Sequence, residues 1–93
     1  MTGAATGAAL RRFVFDDELT IVTAAEHRDR LLAFLRDGTG VRVDLSGITD
    51  LDTAGLQVLL LARDEGVRRH LPVEFVEPSP AVADVLAMTR LEL

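Results

Sequence analysis

Three times along the chain, a short run of strand-forming residues gives way to a longer segment with helical periodicity. That alternation restricts the fold more than any single residue does. Phe13, Val14 and Phe15 read as a strand, and Leu19-Thr20-Ile21-Val22 as a second, with Asp16-Asp17-Glu18 as the turn of a hairpin. Val41-Arg42-Val43-Asp44-Leu45 alternates strictly and predicts another strand, and Val73-Glu74-Phe75-Val76 predicts the last. Each is followed by a helical segment, so the expected order is β-β-α-β-α-β-α. Strands interleaved with helices imply an α/β fold with parallel pairing and right-handed crossovers.

The helix boundaries carry their own signals. Thr23-Ala24-Ala25-Glu26 has the spacing of a capping box. The helix it opens has Leu31, Phe34 and Leu35 on its inner side and stops at Gly38, which takes the left-handed conformation without side-chain cost. Ser79-Pro80 places an N-cap before a proline at the first helical position. Val82, Val85, Leu86 and Thr89 then form one inner face.

The middle helix, opening at Asp52-Thr53-Ala54-Gly55 and running to about Arg69, is the most informative. On a helical wheel Gly55, Leu59, Ala62 and Gly66 share one side, so small residues line the centre of the apolar arc. Leu56, Leu60 and Val67 widen that arc in one direction and Val58 in the other. The opposite strip carries Gln57, Asp64 and Arg68, with Ala54 and Leu61 among them. A leucine there, beside the loop Ser46–Asp52, marks a candidate partner-facing patch.

Composition removes several classes of function. The 93 residues suit one domain, read as a small flexible tail over 1–10 and a folded unit over 11–93. The 15 acidic residues outnumber the 10 basic ones, all of them arginine, and only Arg11–Arg12 and Arg68–Arg69 adjoin. Nucleic-acid binding needs clustered positive charge, so it is not expected. Absence of cysteine removes disulfides and thiol nucleophiles. His27 and His70 stand alone, with no nucleophile or carboxylate at a motif spacing, so neither an enzyme nor a metal or cofactor site is expected. The longest apolar run, Val58–Ala62, is too short to span a bilayer. With no secretory leader visible, a cytoplasmic location without membrane insertion is the expectation.

Asp52 or Thr53 caps the middle helix, since either side chain can accept from its free amides. A hydroxyl at that position is also where an added phosphate would meet free N–H groups and the positive end of the helix dipole.

The run Val43-Asp44-Leu45-Ser46-Gly47-Ile48-Thr49-Asp50-Leu51-Asp52-Thr53-Ala54-Gly55-Leu56 resembles the signature of STAS domains, the anti-sigma factor antagonist family. Val76 to Val82 is similar to that family's exit from its fourth strand, Leu86 to Leu91 to its last helix, and Glu18 to Leu35 to its second strand and first helix. The resemblance implies a single STAS-type domain with a four- to five-stranded mixed sheet and helices packed mainly on one side. It implies a protein-binding switch and not an enzyme. Thr53 would be the phosphorylation site. The partner would be an anti-sigma factor that is also a serine/threonine kinase of the histidine-kinase-like ATPase type, with a cognate phosphatase resetting the switch. The contact surface would comprise Ser46, Gly47, Asp50, Asp52, Thr53, Ala54, Leu56, Gln57 and Leu61. Thr53-Ala54 replaces the Ser-Ser or Ser-Thr of most antagonists, and Thr20 stands where the family often has aspartate. Thr at the acceptor position also occurs in stressosome-type scaffolds and in the STAS subunit of the lipid-asymmetry (Mla) ABC transporter, where the domain docks on an ATPase. An edge strand near Phe13–Phe15 leaves room for a homodimer.

Overall fold

The computed structural model describes residues 10–93. The tail expected over 1–10 lies outside the described residues except for Leu10, which is half-buried. Three strands, β1 (Arg11–Val14), β2 (Val41–Asp44) and β3 (Val73–Val76), form one sheet in the order β1-β2-β3. Both pairings are parallel. Three helices complete the described residues: α1 (Ala24–Arg36), α2 (Thr53–Arg68) and α3 (Pro80–Thr89).

The register explains which face is buried. Phe13, Val43 and Phe75 stand side by side across the strands, with Val41 and Leu45 on the same face of β2 and its extension. Leu31 and Leu35 of α1, Leu59 and Ala62 of α2 and Val82 of α3 join them in one core. The small side chains predicted on α2 let its backbone lie close. A Cβ at Gly66 would come within 2.5 Å of Val73 Cγ2. On the opposite face Arg12, Arg42 and Glu74 are in register and exposed. Arg42 pairs with Glu74 at 3.1 Å and Arg12 with Asp44, so the two adjacent arginines are each matched.

Several expectations need correction. The sheet has three strands among the described residues and not four to five, and it is parallel throughout rather than mixed. The hairpin is absent. Of the second strand only Leu19 pairs, in an isolated parallel bridge with Leu51. Local side-chain bonds take the chain away from β1. The Thr20 hydroxyl accepts from the Val22 amide at 3.3 Å, and the Thr23 hydroxyl accepts from the Thr20 amide at 3.2 Å and donates to the Glu18 carbonyl at 3.0 Å. Threonine hydroxyls bonded in this way compete with extended pairing. Ile21 and Val22 therefore sit in a turn, 74% and 80% exposed.

The same bonds undo the capping box, because Thr23 directs its hydroxyl backwards and makes no cap bond to α1. Val67 is 71% exposed and Thr89 exposed, so neither belongs to the inner face assigned to it. Thr89 donates to the Val85 carbonyl of its own helix at 2.8 Å. Gly38 does end α1, with φ at +79°.

Candidate functional site

Asp52 organises the entry to α2. It is the N-cap, with φ −112° and ψ −174°, and its Oδ1 accepts from the Gly55 amide at 2.9 Å. Its Oδ2 accepts from the Ile21 amide, also at 2.9 Å. The Gly55 amide first, then the Ile21 amide, holds this carboxyl below its ordinary pKa against the opposing effect of burial. Because Asp52 does the capping, Thr53 at the first helical position is left with an exposed side chain.

Two loops meet here. The Leu19 amide donates to the Asp50 carbonyl at 2.9 Å and the Thr49 amide to the Asp17 carbonyl at 3.3 Å. The approach is close enough to exclude side chains at two positions. A Cβ at Gly55 would overlap the Leu19 carbonyl oxygen and lie 2.8 Å from Leu51 Cδ1, and one at Gly47 would lie 2.9 Å from the Asp16 Cα. Gly55 and Gly47 therefore set how near the loops can come.

Between α1 and α2, directly beside this junction, lies a groove of about 300 Å³ lined mainly by apolar carbon. Ile21, Ala24, Ala25 and Arg28 form one wall, and Ala54, Gln57, Val58 and Leu61 the other. Leu61 is 40% exposed at its rim.

The residues expected from the sequence do not all gather there. Ala54, Gln57 and Leu61 line the groove, and the N-cap Asp52 and Thr53, the first residue of α2, directly precede Ala54. Asp50 is exposed on the adjoining loop. Leu56 is buried, so its place is in the interior and not on a contact surface. Ser46 faces elsewhere. It lines a different recess of about 500 Å³ over the open sheet face, with Arg12, Arg42 and Glu77.

The Ser46 hydroxyl donates to Asp44 Oδ1 at 2.7 Å and its amide donates to the same oxygen at 2.8 Å. Those two bonds, then the Arg12 guanidinium, lower the buried Asp44 carboxyl to about 2. Ser46 and Asp44 thus close the turn after β2. Ile21, Ala25 and Arg28 were missed as site residues. The Thr20-x-x-Thr23 spacing just before a helix was the available sign of a turn in place of a strand.

No group of three or more metal-ligating side chains occurs among the described residues, and no described helix is long and apolar enough to cross a membrane. No curated protein matches the chain. A family model described as "Mlab, STAS domain" matches residues 15–92, which takes in all three helices, β2, β3 and the whole junction around Asp52. With that match over most of its length, the chain belongs to the STAS domain family.

Proposed function

We infer that this STAS domain is an anti-sigma factor antagonist, a cytoplasmic binding module without catalytic activity of its own. Unphosphorylated, it docks on an anti-sigma factor that is also a kinase of the histidine-kinase-like ATPase type. Phosphorylation of Thr53 ends the docking and a phosphatase restores it. One observation carries the reading: Asp52 caps α2, so the neighbouring Thr53 side chain is exposed at the helix N-terminus, beside an apolar groove. A phosphate there adds roughly −1.5 to −2 charges next to the Asp52 carboxylate. A partner that dehydrates this surface would have to bury that charge, which is costly.

The test is incubation with the cognate ATPase-type kinase and ATP. Thr53 should gain about 80 Da, the mass of one phosphoryl group. Thr53→Ala should bind the kinase constitutively and Thr53→Glu poorly. Equal binding by the two variants sinks the reading.

The description of the matching family, "Mlab, STAS domain", favours a second reading, a subunit docked on an ABC-transporter ATPase. There Thr53 would be an unmodified contact. Co-purification with an ATPase subunit at fixed stoichiometry, with no phosphate turnover, would select it over the first. A stressosome-like scaffold would instead assemble into large particles, which sedimentation distinguishes from both.

A further inference from the structure

We propose that the groove between α1 and α2 receives an amphipathic helix whose apolar ridge is flanked by arginine or lysine. This rests on the docking role given to the same end of the domain, and it adds the chemistry of the partner and a second wall that the docking reading did not include.

The groove's shape comes first. Its walls are two helices, and Ala54 to Leu61 supply about two turns of one side, a length of roughly 10 Å that suits a helix laid in a groove. The apolar contact is already present. Ile21 and Leu61 flank the recess, and Ile21 is 74% exposed, on a turn whose local bonds hold it out of the core. Scattered exposed apolar residues need no explanation, but these two face one concavity.

Charge selects the occupant. No arginine or lysine occurs from 13 to 27 or from 43 to 62, the two stretches that meet at this end. Asp16, Asp17, Glu18, Asp50 and Asp52 all lie on the two loops that the Leu19–Asp50 and Thr49–Asp17 bonds join. The one basic side chain on the groove, Arg28, is paired with Asp29 at 3.2 Å. The loop carboxylates lie at one end of the groove, where Asp52 accepts from the Ile21 amide, and favour a partner that sets basic side chains there beside an apolar ridge. Such pairs are solvated and contribute little affinity.

A labelled synthetic helical peptide, leucine at i, i+3, i+4 and i+7 with arginine on both flanks, is the probe. The control replaces every arginine with glutamate. Anisotropy should show binding of the arginine peptide that weakens as salt rises from about 50 to about 300 mM. The glutamate peptide should bind roughly tenfold more weakly or less. Ile21→Ser and Leu61→Ser, both at exposed positions, should each weaken binding by about tenfold with the circular dichroism unchanged. Amide shifts should map to Ile21–Arg28 and Ala54–Leu61. No binding by the arginine peptide, equal binding by the glutamate peptide, or shifts confined to the open sheet face would overturn the proposal. Phosphoryl transfer to Thr53 is read separately by mass. Its survival with a failed peptide experiment rejects only this partner chemistry, and its loss with a successful one rejects only the switch.

Discussion

The Asp52 carboxylate accepts the Ile21 amide on one oxygen while its other oxygen caps α2 through Gly55. One side chain thereby joins residues 31 positions apart and sets the two walls of the groove against each other. Asp52→Ala removes both bonds. The Ile21 and Gly55 amides should lose protection from hydrogen exchange, and the urea midpoint should fall. Asp52→Asn keeps an oxygen for one of the two amides, so its midpoint should lie between those of Asp52→Ala and the parent. If Asn and Ala prove equally mild, with Ile21 still protected, the carboxylate does not fasten the turn.

Acid should unfasten the same bonds. Asp44 is held at about 2 against an ordinary 3.8, through Ser46 and then Arg12. Asp52 is lowered by the Gly55 and Ile21 amides, and Glu65 by its bond from Arg69 and the nearby Arg68 charge. Each carboxylate binds its proton less readily folded than unfolded, so the unfolded chain takes up protons first. The stabilisation is complete above the ordinary carboxylate range and is lost as pH falls from about 4 towards about 2. Urea midpoints at pH about 6, 4 and 2.5 should fall in that order, and Asp44→Asn should flatten the slope. A flat profile in the parent rules out these carboxylates as contributors.

Much of this arrangement was legible in the chain and some was not, for definite reasons. The stripe Gly55, Leu59, Ala62 and Gly66 reads off a helical wheel because nothing outside the helix alters its period, and the structure buries all four. Asp52 and Thr53 were interchangeable as caps, since both can accept from a free amide. The Ile21 amide, brought in from another loop, is a second partner that Asp52 alone satisfies here. The turn at Ile21–Val22 was hidden because β-branched residues favour a strand when flanked by a partner. The threonine bonds that remove them from pairing depend on Glu18, Thr20 and Thr23 folding back together. Leu56 lies at the edge of the apolar arc, where the wheel alone cannot say how far the neighbouring elements reach.

Gly55 tests the close approach directly. Its missing side chain leaves room for the Leu19 carbonyl and the Leu51 methyl. Gly55→Ala would raise helix propensity in an isolated helix, but here it must push α2 off the Leu19–Leu51 bridge. The expected loss is about 1–3 kcal/mol, the usual cost of overpacking, and it should be read as a lowered urea midpoint with the m-value unchanged. Increased stability would show that the helix and the loop are farther apart than this contact requires.

Leu59 and Leu61 separate the two sides of α2. Leu59 is fully buried on the sheet side and Leu61 stands at the groove rim. Leu59→Ala should cost about 2–5 kcal/mol, and Leu59→Asp should prevent folding by burying an unpaired charge. Leu61→Asp should stay within about 0.5 kcal/mol of the parent, as surface changes usually do. Thermal melts of the three variants decide the matter, and a reversal of the Asp pair would place the helix the other way round.

His27 is the remaining irregularity in the core. It is buried on α1 with its ring edge-on to Phe15, centroids 5.1 Å apart, and its Nδ1 finds no hydrogen-bond partner. An unsatisfied buried nitrogen costs free energy that an apolar side chain of similar size does not. His27→Leu keeps the contact with Phe15 and removes the unpaired atom. It should raise stability by about 1 kcal/mol, which for a domain of this size lifts the melting temperature by roughly 4–8 °C. His27→Ala should instead destabilise by leaving a cavity beside Phe15. If leucine lowers the melting temperature as far as alanine does, the ring itself, through its edge contact with Phe15, is worth more than the unpaired nitrogen costs.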